Sequence, residues 1–271
     1  MKQLMNKICN SGNVISLTFC LVVTVIGGCK SLDPTKDLEE VEVGIYGGLG
    51  SWDVSVTALS LAVMEAGYEY QEFNEIDVFN NDISRFRMII MPGGNPQDYS
   101  SALGSIGMKR IQNFVKFGGG YFGVGAGASI ADMDSLVWGG IGIFNGDSVW
   151  PINQIAQYPE TVLTEILKTE VDHDVSRGSA DKFTTLYRWG PYFVPYHPDN
   201  FSTIYNYSIT GSPAMVSFTY GSGIVVLTGC QFEIEENDER DGGDFGNNLY
   251  DPETEWELIN NSIKFCMSDL F

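Results

Sequence analysis

The chain has 271 residues, 44% of them apolar and 18% charged, which is ordinary for a folded chain and enough for one sizeable domain. Its net charge of −20 is not ordinary. A field of that sign repels nucleic acid and anionic lipid, and it excludes DNA or RNA as the expected partner.

The N-terminus reads as an export signal. Lys2 and Lys7 supply a positive start, and residues 14–26 form an apolar run of thirteen. At ~1.5 Å per residue a helix of that length reaches roughly 20 Å, short of the ~30 Å hydrocarbon core, so a cleaved signal fits better than a membrane span. The run ends in Gly27-Gly28-Cys29. Small residues before a cysteine suit a lipoprotein signal peptidase, whose substrates carry a diacylglyceryl group on that thiol. The expected organisation is therefore a signal peptide over 1–28, a lipidated polar tether over 29–40 and a folded domain over 41–271. The protein is expected outside the cytoplasm, held to a membrane through lipid on Cys29. Loss of Lys2 and Lys7 takes the net charge from −20 to −22. Cys9 and Cys20 leave with the signal, so Cys230 and Cys266 remain, free or bridged to each other. No cysteine or histidine spacing implies a metal site, and no cofactor is implied.

Within the domain, residues 41–46 predict a buried strand that ends in Gly47-Gly48-Leu49-Gly50. A helix follows, with Val56, Leu59 and Val63 on one face and Gly67 as its stop. Residues 68–73 and 88–91 predict further strands, the latter closed by Pro92-Gly93-Gly94. Residues 106–117 predict a helix ending in three glycines. Residues 121–124 then predict a fourth strand, which runs straight into Gly125-Ala126-Gly127-Ala128. This alternation argues for an α/β fold with a mainly parallel sheet covered on both faces, and for ligands beyond the C-terminal strand ends. Farther on, 141–150, 183–188 and 202–207 predict shorter strands. Residues 214–227 predict a hairpin around Gly221-Ser222-Gly223. Residues 254–267 predict a closing helix with a Thr254/Glu257 capping box and a Trp256, Ile259, Ile263 stripe. The acidic, glycine-bearing stretch 233–257 is expected as a long surface loop.

Five segments together carry a resemblance: Tyr46-Gly47-Gly48-Leu49-Gly50, Pro92-Gly93-Gly94 with Tyr99 after it, Gly120 to Ala128, Trp189-Gly190-Pro191-Tyr192-Phe193, and Gly221 to Glu233. In this order they resemble the class I glutamine amidotransferase-like superfamily. Within it the chain is most similar to the domain at the N-terminus of biotin-protein ligases. The resemblance implies a flavodoxin-like fold and a three-part chemistry. A cysteine stands on a sharp strand-to-helix turn, a histidine after a late strand acts as base, and a glutamate two residues on orients it.

The chain departs from that pattern where chemistry is concentrated. The cysteine position holds Gly125 and the histidine position holds Gln231; Glu233 matches. Glycine offers no nucleophile, and a glutamine amide does not shuttle protons near neutral pH. Glycine also adopts a strained turn freely, so Gly125 relieves strain that catalysis would otherwise maintain. The expected remnant is a binding cradle formed by Gly93, Gly94, Asn95, Gly125 and Ala126. The N–H groups of Gly94, Asn95 and Ala126 are expected to face a small carboxylate or similar anion.

The functional expectation is thus a lipid-anchored, catalytically degenerate domain that binds a small anionic ligand or a partner protein. The alternatives are a hydrolase or amidase using Glu233 to activate water in the same cleft, and a surface interaction module with a vestigial cleft. Cys230, His173 and His197 are expected in structural or surface roles, and Ser129 as a helix cap. The oxygen-rich run 233–244 does not match an EF-hand spacing, and its ordering by calcium is a side expectation.

Overall fold

The computed structural model describes residues 41–132, 139–236 and 239–268. The expected signal peptide, tether and Cys29 lie outside the described residues. Among those described, no helix is long and apolar enough to cross a membrane.

A nine-stranded sheet forms the centre. Its strands are β1 (Val43–Tyr46), β2 (Tyr70–Phe73), β3 (Met88–Met91), β4 (Gly120–Val124), β6 (Val162–Lys168), β7 (Lys182–Tyr187), β9 (Phe201–Tyr207), β10 (Pro213–Tyr220) and β11 (Gly223–Thr228), in the order β2-β1-β3-β4-β11-β10-β9-β6-β7. The first five in that order run parallel, and β10, β9, β6 and β7 continue antiparallel. The sheet is therefore parallel in one half only. The short hairpin turn at Gly221 (φ 62) forces the change of direction, because a tight turn can join only antiparallel neighbours. A separate two-stranded ladder pairs β5 (Gly146–Val149) with β8 (Tyr192–Pro195).

The alternation of side chains along the central strands sorts the core into two layers. Val43, Ile45, Met88, Ile90, Phe122, Val124 and Val226 pack toward α1 (Asp53–Glu65) and α5 (Trp256–Cys266). Tyr46, Ile89, Met91, Tyr121, Val225 and Leu227 pack toward α2 (Glu75–Asn80) and α3 (Pro96–Lys116). Because both faces are covered, the parallel strands read as continuous apolar runs.

The helices differ from expectation at their ends. The α3 segment starts at Pro96, ten residues before the predicted start, with the Asn95 side chain accepting from Gln97 N at 2.9 Å. Its two helical pieces meet at Gly104 (φ 53, ψ −175), which hides the first piece from a periodicity reading. The α2 helix, with its Asn74/Asp77 capping box, and strands β6 and β8 were not anticipated. The predicted strand over 141–150 is ordered as β5 at 146–149 only. The Thr254/Glu257 capping box does not form: Thr254 Oγ1 accepts from Trp256 N at 3.3 Å, not from Glu257 N, and donates to Glu235 Oε1 at 2.6 Å.

The largest correction concerns 233–257. It is a long irregular loop, as expected, with Glu239, Asp244, Tyr250 and Glu253 exposed, but it does not lie wholly on the surface: Glu233, Glu235, Glu236, Asp241, Asp251 and Glu255 are all buried. Cys230 and Cys266 are both buried and free, with no bridge between them. His173 is structural, as expected: its Nδ1 accepts from Val175 N and its Nε2 lies 2.7 Å from Ser217 Oγ. Burial pushes its pKa down. His197 is exposed.

Ile90 is fully buried on the central strand β3, so Ile90→Ala is expected to cost about 2–5 kcal/mol in urea unfolding. Exposed Ile106→Ala, at 64% exposure, should stay within about 0.5 kcal/mol of the parent.

Candidate functional site

The parallel strands β1, β3, β4 and β11 end on the same side of the sheet, and the expected site residues follow each end. Gly47–Gly50 follow β1, Pro92–Gly94 follow β3, Gly125 follows β4, and Gly229–Gln231 follow β11. Two of these turns lock together. Trp52 N donates to Gly93 O and Asn95 N donates to Gly50 O, both at 2.8 Å. The lock leaves no space for side chains: a Cβ on Gly94 would lie 1.9 Å from Gly50 O.

Gly125 forms the sharp turn between β4 and the single-turn helix α4 (Ala126–Ser129), with φ 52 and ψ −107. Such a conformation is unfavourable for residues with a Cβ. The elbow geometry is thus present without a side chain to display. Gln231 stands opposite. Its Oε1 accepts from Arg188 N at 2.8 Å, which orients the amide so that Nε2 faces the elbow. A Cβ on Gly125 would lie 2.7 Å from that nitrogen, so the amide fills the space where a nucleophile would begin.

Glu233 does not reach Gln231. Its Oε1 accepts from Ser55 Oγ at 2.5 Å, and Ser55 Oγ accepts from Gly93 N at 2.9 Å. The glutamate therefore braces the Pro-Gly-Gly turn through a hydroxyl on α1. Burial raises its pKa to about 7, with the Ser55 bond opposing the rise. Ser129 Oγ donates back to Gly125 O, one turn earlier, and so closes the small helix. Cys230 is fully buried, and burial raises its thiol pKa well above the ordinary value; a displaced nucleophile would need the opposite environment.

The turns floor a cleft of about 760 Å³. Gly93, Gly94, Asn95, Ala126, Ser129 and Gln231 line it, with Leu49, Trp52, Trp150, Tyr158, Arg188 and Trp189 as walls. The N–H groups of Gly94 and Ala126 make no hydrogen bond among the described residues. The N–H of Asn95 does, to Gly50 O, so the expected three-donor cradle is corrected to two. Asn95 remains in the wall.

The feature missed in the sequence is Arg188. Its guanidinium carbon lies 4.5 Å from the Trp52 ring centroid, 4.9 Å from Trp189 and 5.0 Å from Phe245. It is half-buried, burial lowers its pKa, and it forms no ion pair among the described residues. Trp189 has a positive φ of 56, and its indole N–H donates to Glu160 O at 2.6 Å. The aromatic residue before Gly190-Pro191 was the available signal, but nothing in its spacing tied it to Trp52 or Phe245. Among the described residues, no group of three His, Cys, Asp or Glu side chains is arranged to hold a metal ion.

Comparison with known proteins supports the architecture. Residues 41–134 match the family described as biotin-protein ligase, N terminal. No curated protein matches the sequence. Among solved structures, a putative GMP synthase subunit from Thermoplasma acidophilum is similar at 14% identity and TM-score 0.56, covering 84% of this chain and 94% of that one. PurLQS from Thermotoga maritima is similar at 15% identity and TM-score 0.56, covering 83% and 99%. A putative ThuA-like protein from Bacteroides uniformis is similar at 13% identity and TM-score 0.53, covering 84% and 91%. The fold is that of the class I glutamine amidotransferase-like proteins. Its first part carries the sequence signature of the biotin-protein ligase N-terminal family.

Two outcomes test this geometry. Gly125→Ala must hold a Cβ at φ 52 against Gln231 Nε2, and is expected to lose about 1–3 kcal/mol in urea unfolding. Glu233 has a raised pKa in the folded chain, about 7 against an ordinary 4.5, so its contribution is fullest below pH 4.5 and is lost as pH rises through 7. Glu233→Gln should match the parent at about pH 4 and exceed it by up to about 3 kcal/mol at about pH 8. Parallel stability curves for the two proteins would contradict this burial effect.

Proposed function

We propose that this chain is a lipid-anchored binding protein, held outside the cytoplasm through Cys29, whose amidotransferase-like cleft has lost catalysis and takes a small carboxylate-bearing ligand. Arg188 carries the reading. A cation enclosed by three aromatic rings, with no carboxylate partner among the described residues, stands in a chain of net charge −20. A half-desolvated cation is costly until an anion pairs with it. Arginine is suited to that pairing because its planar fork donates two parallel bonds to a carboxylate.

The remaining donors have the same sense. Gly94 N–H, Ala126 N–H and Gln231 Nε2 all border the cleft and all favour an acceptor. Trp150, Tyr158 and Trp189 offer flat apolar surfaces, so the ligand carries its carboxylate on a ring or another apolar body. Gly125 and Gln231 supply neither nucleophile nor base. The hydrolase alternative is not favoured, because Glu233 is fully buried behind the cleft wall and engaged with Ser55.

Calorimetric titration with a panel of small aromatic and alicyclic carboxylates is expected to give saturable binding. Arg188→Met should weaken it by about 10- to 100-fold, the loss of a charged hydrogen bond. No binding by any member of the panel at millimolar concentration would leave the cleft vestigial and favour a protein-interaction module. Separately, Cys29→Ser should move the protein from the membrane fraction to the soluble fraction; unchanged retention on membranes would refute the anchor.

A further inference from the structure

The cleft above the elbow offers acceptors as well as donors. Gln97 and Asp98, in the first turn of α3, line it and are exposed. Their side chains make no hydrogen bond or ion pair among the described residues. Asn95, also in the lining, spends its side-chain oxygen on Gln97 N, which leaves its NH2 group to donate. An ionised Asp98 is acceptor-only. It repels a bare carboxylate and favours a ligand that brings hydrogen-bond donors of its own.

The apolar surface of the cleft is equally telling. Tyr158 is 75% exposed and leans on Trp189, with ring centroids 4.6 Å apart and planes at 46°. Trp150, 38% exposed, adds a third ring to the same cleft. Open rings edged by amides and a carboxylate match a solute with apolar faces and a polar rim. A pyranose is such a solute: its C–H groups gather on the faces, and its hydroxyls, each both donor and acceptor, stand around the edge. A purely aromatic acid would cover the rings but bring no donor to Gln97 or Asp98.

We infer that the ligand is a sugar acid, whose carboxylate pairs with Arg188, whose C–H face lies on Trp150, Tyr158 and Trp189, and whose hydroxyls meet Asn95, Gln97 and Asp98. The inference rests on the carboxylate-binding reading of the cleft and narrows it to one chemical class. Arg188 selects the acid, since its fork binds two carboxylate oxygens at once. Asp98 selects the hydroxylated ring. The cleft, at about 760 Å³, is in the size range of sites that enclose ligands larger than one six-membered ring, so a short uronate oligosaccharide fits it.

The test is calorimetric titration of the full-length protein with methyl glucuronide, methyl galacturonide and digalacturonate. Cyclohexanecarboxylate, which keeps the acid and loses the hydroxyls, and methyl glucoside, which keeps the hydroxyls and loses the acid, are the comparators. At least one uronate is expected to bind about tenfold or more tightly than either comparator. Exposed Asp98→Asn, with unfolding like that of the parent, should weaken uronate binding about 5- to 10-fold and leave cyclohexanecarboxylate binding equal or tighter. Opposite responses of the two ligands would not follow from a general loosening of the cleft. Cyclohexanecarboxylate binding as tightly as every uronate, or both weakening alike in Asp98→Asn, would overturn the sugar acid and leave the carboxylate cleft standing. Methyl glucoside binding as tightly as methyl glucuronide would overturn the inference together with the role of Arg188. No binding by any of the five at millimolar concentration would overturn both readings.

Discussion

The reversal of the chain at Gly125 is the constraint on which the rest of the site depends. The strand β4 arrives fully buried, pairs with β3 on one side and β11 on the other, and must turn at once into α4. A backbone at φ 52 and ψ −107 makes that turn, with Gly125 N donating to Thr228 O on β11 and Gly127 N donating to Pro92 O beyond β3. The elbow thus fastens three strand ends to one another. In a catalytic relative the same strain would display a side chain; here it leaves two backbone donors and an amide at the floor of a cleft.

Support for that floor comes from an unexpected direction. Glu233 holds the position of an orienting acid, yet it acts through Ser55 on the Gly93 turn and not on Gln231. A buried carboxyl with a pKa of about 7 is a costly brace, and its retention fits a role in fixing the turn that carries Gly94 N–H.

Charge is distributed to similar effect. The chain is strongly acidic, but its aromatic-enclosed Arg188 faces the cleft, and part of its acid is folded inside. Phe245 connects the two regions, since it stacks edge-on against Trp52 at 4.6 Å and stands over Arg188.

The sequence by itself determined the parallel half of the sheet, because buried strands such as 88–91 are unbroken apolar runs and the glycine turns mark their ends. Its resemblance to the class I glutamine amidotransferase-like superfamily also implied that Gly125 stands at the elbow and Gln231 opposite it, as the structure has them. Local pattern failed where a distant partner overrode it. Thr254 accepts from Trp256 N and donates to Glu235 where a box with Glu257 was expected, the break at Gly104 concealed half of α3, and six acids of the stretch 233–257 turned inward although its composition suits solvent. Only the tertiary structure decided that Arg188 sits among Trp52, Trp189 and Phe245, residues up to 193 positions apart in the chain. Periodicity reports which face of an element is buried, but not which side chains from separate elements will meet, and a binding site consists of such meetings.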